Sequence, residues 1–473
     1  MKKRIDLTEG NIYEKLFKLA VPIMLTSFLQ MAYNMMDMYW LGNYDSSGEA
    51  VSAAGTAGFF SWFGFAFILL AKIGAEVKVS QSIGQKRFED TKKYIKSAIQ
   101  IILALGVFYT LVILIFKKDF IGFFNIEDEI INKMAVDYLG IIAFGLIFYF
   151  INPVFTAIFN GSGDSTTPLI MNFTGLILNM ILDPLMINGI GPFSEMGVSG
   201  AALATIISQS VVTIAFIMAI KLSKKGKTLF NGVNILSRIE VSHMRDILII
   251  GAPVAFQSGL FTFFSMTIGR IISGIDPVGI GVQKVGSQIE SLSWMTAGGF
   301  QTALSAFVGQ NYGAKKWDRI YKGYLSALSI VAVFGIGVTC TLIFGAEPIF
   351  KAFISDEEPL RMGIVYLRIL GLSQLFMCVE ITTAGAFNGL GKTFVPSLVS
   401  IIFTGARVPA AYILSKYTAL GIEGVWWSIS MSSMFKGVVL VSLFSILLMR
   451  RPEVGIDKIK AYFNKNKREK ISA

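Results

Sequence analysis

Charge, cysteine and histidine are all scarce in this chain of 473 residues. Asp, Glu, Lys and Arg make up 15% of it, against roughly 25% in a soluble domain, so an ordinary water-soluble globular protein is excluded. The two cysteines, Cys340 and Cys378, both lie in apolar stretches. They leave no room for a disulfide framework or a CxxC site. One histidine, His243, stands in a basic segment and cannot build a metal centre by itself. HExxH and GxSxG are missing. The glycine-rich GSGDST at 161–166 lacks the lysine of a phosphate-binding loop. Neither an enzyme nor an ATP-driven pump is expected, and no cofactor is expected.

What the chain has is apolar length. AVILMFWYC account for 53% of it and the mean hydropathy is +0.63. Twelve candidate spans recur at about 16–40, 51–77, 95–116, 134–158, 168–188, 198–220, 246–272, 284–308, 324–346, 363–386, 396–415 and 425–449. Each reaches the ~20 residues that cross a bilayer as a helix. The fold expected is therefore an all-α polytopic membrane protein with twelve transmembrane helices. The net charge of +11 sits in alternate loops and the tail, which is the pattern of an inside face and not of a nucleic-acid binder. Lys2, Lys3 and Arg4, the loop with Lys86, Arg87, Lys92, Lys93 and Lys96, and the tail with Arg450 and Arg451 fall on one side, while Glu127–Asp128–Glu129 falls opposite. This predicts a multi-pass protein of a bacterial-type inner membrane with both termini cytoplasmic. The basic start runs into the first span without a small-residue cleavage site, so it reads as retained.

The chain repeats itself. AIFNGSGDSTTP at 157–168 matches GAFNGLGKTFVP at 385–396, an offset of 228 (388 − 160). GVSG at 197–200 matches GIEG at 421–424, and GQ at 84–85 is paired with GQ at 309–310. Two six-helix bundles follow, at 1–220 and 246–449, with a cytoplasmic linker at 221–245 and a basic tail at 450–473. An even number of spans per half relates them by an axis along the membrane normal.

The most polar place in the first bundle combines two spans. Gln30, Tyr33, Asn34 and Asp37 share one helix face; Asn179 and Asp183 share another, and Pro184 follows at once. Two carboxylates meeting in a dry site cannot both stay ionised, so Asp37 and Asp183 are candidates to hold a proton, or Na⁺ with Asn179 as a further oxygen. The plainer alternatives are that either acid lies in the headgroup region, or that the asparagines join helices. Gln30, Tyr33, Asn34, Met35, Asn152, Gln257 and Gln288 are candidates for the substrate pathway. In the second bundle Glu290, Glu380 and Arg407 are intramembrane charges, and a pairing of Arg407 with one of the acids is expected.

With VP at 21–22, YNMMDMYWLG at 33–42, FNGSGDSTTP at 159–168, NMILDP at 179–184, GVSGAALAT at 197–205 and VGQNYGA at 308–314 in this order, the chain resembles the multidrug and toxic compound extrusion (MATE) family over about 12–449. The resemblance implies a V-shaped pair of six-helix bundles. It implies export of amphiphilic or cationic compounds against H⁺ or Na⁺ by alternating access. No nucleic-acid partner is expected, the lipid bilayer is, and the chain is expected to act as a monomer. Asp37, Asn179 and Asp183 look like the amino-lobe cation site of the DinF-like branch, with Thr205 as the matching threonine. Pro22 resembles the proline at which the first helix bends. Gln257 stands in a span where the NorM-type branch has an acid. The alternative is a flippase or exporter of a lipid-linked precursor or a specific metabolite.

Overall fold

The computed structural model describes residues 6–44, 48–126, 128–354, 356–451 and 454, without the side chains of Asn34, Lys224 and Lys225. Lys2, Lys3, Arg4, Glu127 and most of the basic tail therefore lie outside the described residues. Fifteen helices and no strand occur among those that are described.

The first seven are α1 (Ile12–Tyr44), α2 (Glu49–Gly84), α3 (Phe88–Gly122), α4 (Glu129–Gly161), α5 (Thr166–Ile187), α6 (Gly197–Leu222) and the short α7 (Lys224–Phe230). Then come α8 (Val241–Ser273), α9 (Pro277–Gly313), α10 (Trp317–Phe344), α11 (Ala346–Lys351), α12 (Glu357–Gly371), α13 (Gln374–Gly389), α14 (Phe394–Lys416) and α15 (Ile422–Met449). Ten of them, among the described residues, are long and apolar enough to cross a membrane, and the α12–α13 pair, bent by 48°, makes an eleventh. The expected span at 284–308 lies in α9, which has 37 residues but carries enough Ser, Gln and Gly to lower its hydropathy. The expected span at 363–386 is broken at Leu372–Ser373. Ser373 and Gln374 both turn their side chains onto the Leu370 carbonyl, which competes with the backbone ladder.

Large apolar side chains such as Ile115, Phe144 and Val333 remain about 70% exposed on helix exteriors, as lipid-facing positions require. The chain divides into two compact units. The first holds residues 21–255 and the second holds 6–20 and 256–473. The division falls inside α1 and α8, close to Pro22 and Pro253, so each of these helices begins in one unit and ends in the other.

In each unit the root of the departing helix is tied down. In the second, Arg319 donates to the carbonyls of Leu7 (3.0 Å), Gly10 (2.9 Å) and Glu9 (2.7 Å), and Lys316 to that of Thr8 (2.9 Å). In the first, Lys96 bonds Glu240 (2.8 Å) and the Arg238 carbonyl (3.2 Å), and Gln100 takes the carbonyls of Ile235 and Ser237. The segment expected to be a linker is thus a short helix followed by a stretch fastened to α3.

The repeat survives in backbone geometry. Lys86 and Lys315 have φ of 60° and 58°, a region that non-glycine residues seldom enter. The following Arg87 and Lys316 both have φ of −93°. This pairs residues 229 apart (315 − 86), so the structural counterpart of Gln310 is Gln81 and not Gln85. Both are buried. The likeness of the two GQ dipeptides is a coincidence four residues out of register.

Candidate functional site

The polar centre of the first unit forms where α1, α5 and α6 meet, with α4 beside them. Asn179 and Asp183 lie one turn apart on α5, both fully buried, and the Asn179 amide donates to Asp183 Oδ1 at 2.9 Å. The carboxyl of Asp37, from α1, comes within hydrogen-bonding range of the Asp183 carboxyl and the Asn179 carboxamide. Thr205 on α6 donates to Asp37 Oδ2 at 3.4 Å, and the Tyr33 hydroxyl donates to the Thr205 carbonyl at 3.3 Å. Tyr138 on α4 stands within electrostatic range of both acids; it was missed in the sequence because no charge or spacing marks it.

Three oxygens here are buried and lack a donor: Asp37 Oδ1, Asp183 Oδ2 and Asn179 Oδ1. No lysine or arginine among the described residues forms a salt bridge with either acid. Two carboxyl groups in contact without a cationic side chain need a proton or a bound cation between them. The ligand atoms are all oxygen, which suits a hard cation. Among the described residues no group of three His, Cys, Asp or Glu gathers as a transition-metal site would need. Pro184 lies inside α5 directly after Asp183, so the carbonyl one turn earlier has no backbone donor.

The other expected residues are spread more widely. Gln30, Met35 and Gln288 are exposed, Gln257 is partly so, and the side chain of Asn34 lies outside the described residues. Gln257 lines a narrow crevice with Phe261, Phe264 and Thr404. Asn152 is buried on α4, with its amide spent on Gln209 (2.9 Å) and its carbonyl oxygen on Thr213 (2.8 Å). That is a tie between α4 and α6.

The second unit has a polar centre of its own. Glu290 accepts from the Tyr366 hydroxyl (2.6 Å) and the Gln374 amide (2.9 Å). Arg407 donates to the hydroxyls of Ser432 (2.6 Å) and Ser433 (3.0 Å). The ion pair is not the one expected. Glu380 bonds Lys436 of α15 at 3.0 Å, because Lys436 is the nearer cation and a buried ammonium demands a counter-charge. Arg407 feels Glu380 and Glu290 only through space. Lys436 was legible: it is the one charged residue between Trp426 and Met449.

The MatE family model matches residues 22–185 and 253–413. A protein of Thermotoga maritima described as a probable multidrug resistance protein NorM is 29% identical over 92% of both chains. A solved MATE structure in a bent conformation superposes with a TM-score of 0.87, covering 94% of this chain and 98% of its own, at 22% identity. A MOP superfamily transporter from Pyrococcus furiosus, with a binding pocket described as reversed in polarity, reaches 0.85 at 23% identity, covering 94% and 99%.

Proposed function

Because the chain belongs to the MatE family, we propose that it is a cation-coupled efflux antiporter that exports amphiphilic or cationic organic compounds by alternating access. The observation that carries this reading is the contact of the Asp37 and Asp183 carboxyls, with no cationic side chain among the described residues to answer them. Such a pair has two charge states. Neutralised by H⁺ or Na⁺, it lets α1 pack against α5 and α6. Stripped of the ion, its like charges repel, and α1 is the member free to move because Pro22 interrupts its ladder. Cation binding and substrate binding then oppose one another, and by linkage each weakens the other equally. The asymmetric placement of Lys and Arg supports a bacterial-type inner membrane with both termini in the cytoplasm. Two six-helix bundles in one chain support action as a monomer.

Reconstituted protein, loaded with a cationic dye and given an imposed Na⁺ or pH gradient, tests the reading. Wild type should show gradient-driven flux, and Asp37→Asn with Asp183→Asn should lose it. Unchanged coupled flux in that double variant would refute the mechanism.

A further inference from the structure

In the connection between α6 and α8 one leucine is held outward. Leu236 is 96% exposed, yet its backbone is fastened. The Gln100 amide on α3 donates to the carbonyls on both sides of it, Ile235 at 2.8 Å and Ser237 at 3.1 Å, and Asn234 Oδ1 accepts from its N–H at 3.0 Å. Lys96 adds bonds to the Ser237 hydroxyl and the Arg238 carbonyl, both at 3.2 Å. The flanking carbonyls thus turn onto α3, and the side chain stands at the tip of a fixed turn. The repeat does not require this exposure. Leu7 stands five residues before α1 as Leu236 does before α8 (12 − 7 and 241 − 236), and Leu7 is fully buried.

α3 fixes the depth of the turn. Gln100 continues, at helical spacing, the exposed row Ala104, Val107, Leu111 and Ile115, which is a lipid-facing stripe. It lies 22 residues before Gly122 (122 − 100), about 33 Å along the helix, against a hydrocarbon layer of ~30 Å. Leu236 therefore stands where lipid tails give way to headgroups. Leu222 at the end of α6, and Ile239 and Val241 at the root of α8, are exposed as well. The charge here has one sign. Residues 221–245 hold six Lys and Arg against one acid, Glu240, which Lys96 and His243 already claim at 2.8 and 3.2 Å. Lys221, Lys227, Arg238 and Arg245 are exposed, and no salt bridge answers them among the described residues.

We propose that residues 234–241 and the basic residues on either side anchor the protein to acidic phospholipid, with Leu236 among the acyl chains and Arg238 on the phosphate groups. An apolar tip beside unanswered cations fits both halves of one amphiphile, and each Lys or Arg near an anionic leaflet adds affinity. A soluble anion would leave Leu236 in water, and a second copy of the chain would bring the same positive charge against itself. Anchoring of this kind is independent of the coupling role of Asp37 and Asp183.

The test uses the full-length chain with Leu236→Trp, reconstituted in phosphatidylcholine vesicles that contain a growing fraction of phosphatidylglycerol brominated on its acyl chains. Bromine there quenches an indole that enters the apolar layer, and wild type supplies the background of the six native tryptophans. The introduced indole should be quenched, and by brominated phosphatidylglycerol at a lower fraction than by brominated phosphatidylcholine. Adding Arg238→Gln should reduce that preference by up to about fivefold, while quenching by phosphatidylcholine persists. Ile239→Trp serves as the probe if Leu236→Trp does not fold. An indole quenched by neither lipid, whether water or another copy of the chain covers it, overturns the anchor. Equal quenching by the two lipids overturns the preference for acidic phospholipid. A preference untouched by Arg238→Gln with Arg245→Gln overturns its assignment to these side chains.

Discussion

The polar centres of the two units solve one problem in opposite ways. In the first, two acids meet with no cationic side chain among the described residues, and buried oxygens are left without donors. In the second, Glu290 and Glu380 are balanced by Arg407 and Lys436, and both oxygens of Glu290 accept a hydrogen bond, while Glu380 Oε2 is left without a donor. The repeat sets Arg407 of the second centre opposite Asn179 of the first (407 − 228 = 179), but it sets Glu380 opposite Asn152 (380 − 228 = 152), so the acids of the two centres stand at different positions of the repeat. The charge balance predicts that the first centre answers to an added cation and that the second serves structure.

The sharpest way to break this comparison is to remove one charge from each centre. Lys436→Met leaves the Glu380 carboxylate buried without its partner and should lower stability in detergent by about 3–5 kcal/mol. Adding Glu380→Gln should recover most of that loss. Asp183→Asn, in contrast, removes like-charge repulsion and should raise the melting temperature in salt-free choline buffer. Denaturation of the three variants side by side decides it, and a loss of stability on both sides would erase the distinction.

A smaller effect sharpens the description of the balanced centre. Tyr366→Phe deletes the 2.6 Å bond to Glu290 and should cost about 1–3 kcal/mol of stability, with gradient-driven flux unchanged. Lost flux in a variant that still folds would make the second unit part of the coupling machinery.

The smallest expected effect lies outside the membrane, at the fastening of residues 235–240. The hydrogen bond from Lys96 holds the Glu240 carboxyl below its usual range, with Lys93 and His243 adding to the effect. A carboxyl lowered in the folded state contributes its full stability above its unfolded pKa and loses it as pH falls through the folded value. Glu240→Gln should therefore lower the melting temperature slightly at neutral pH and make no difference in strong acid. A gap between variant and wild type that persists in acid would assign Glu240 another role.

Much of this was written in the chain. Apolar runs of bilayer length force helices, since unpaired backbone groups cannot be left in lipid, and the matching FNG segments announce the repeat. Asp37, Asn179 and Asp183 stand out because a charge within an apolar run demands an answer. Tyr138 carries no such mark; a lone hydroxyl in an apolar helix reads the same whether it joins helices or faces a charged site. The partner of Glu380 was likewise open, because the sequence offers two cations, Arg407 and Lys436, and only distance selects between them.

Sequence by itself therefore determined that the protein lives in a membrane, that it is built twice over, and which acids need neutralising, because these follow from the cost of polarity in hydrocarbon. Tertiary structure alone decided which side chains meet, that α1 and α8 each pass between units, and that the GQ pairs are out of register by four residues. Those outcomes depend on helix rotation and packing, and a one-dimensional pattern leaves both undetermined.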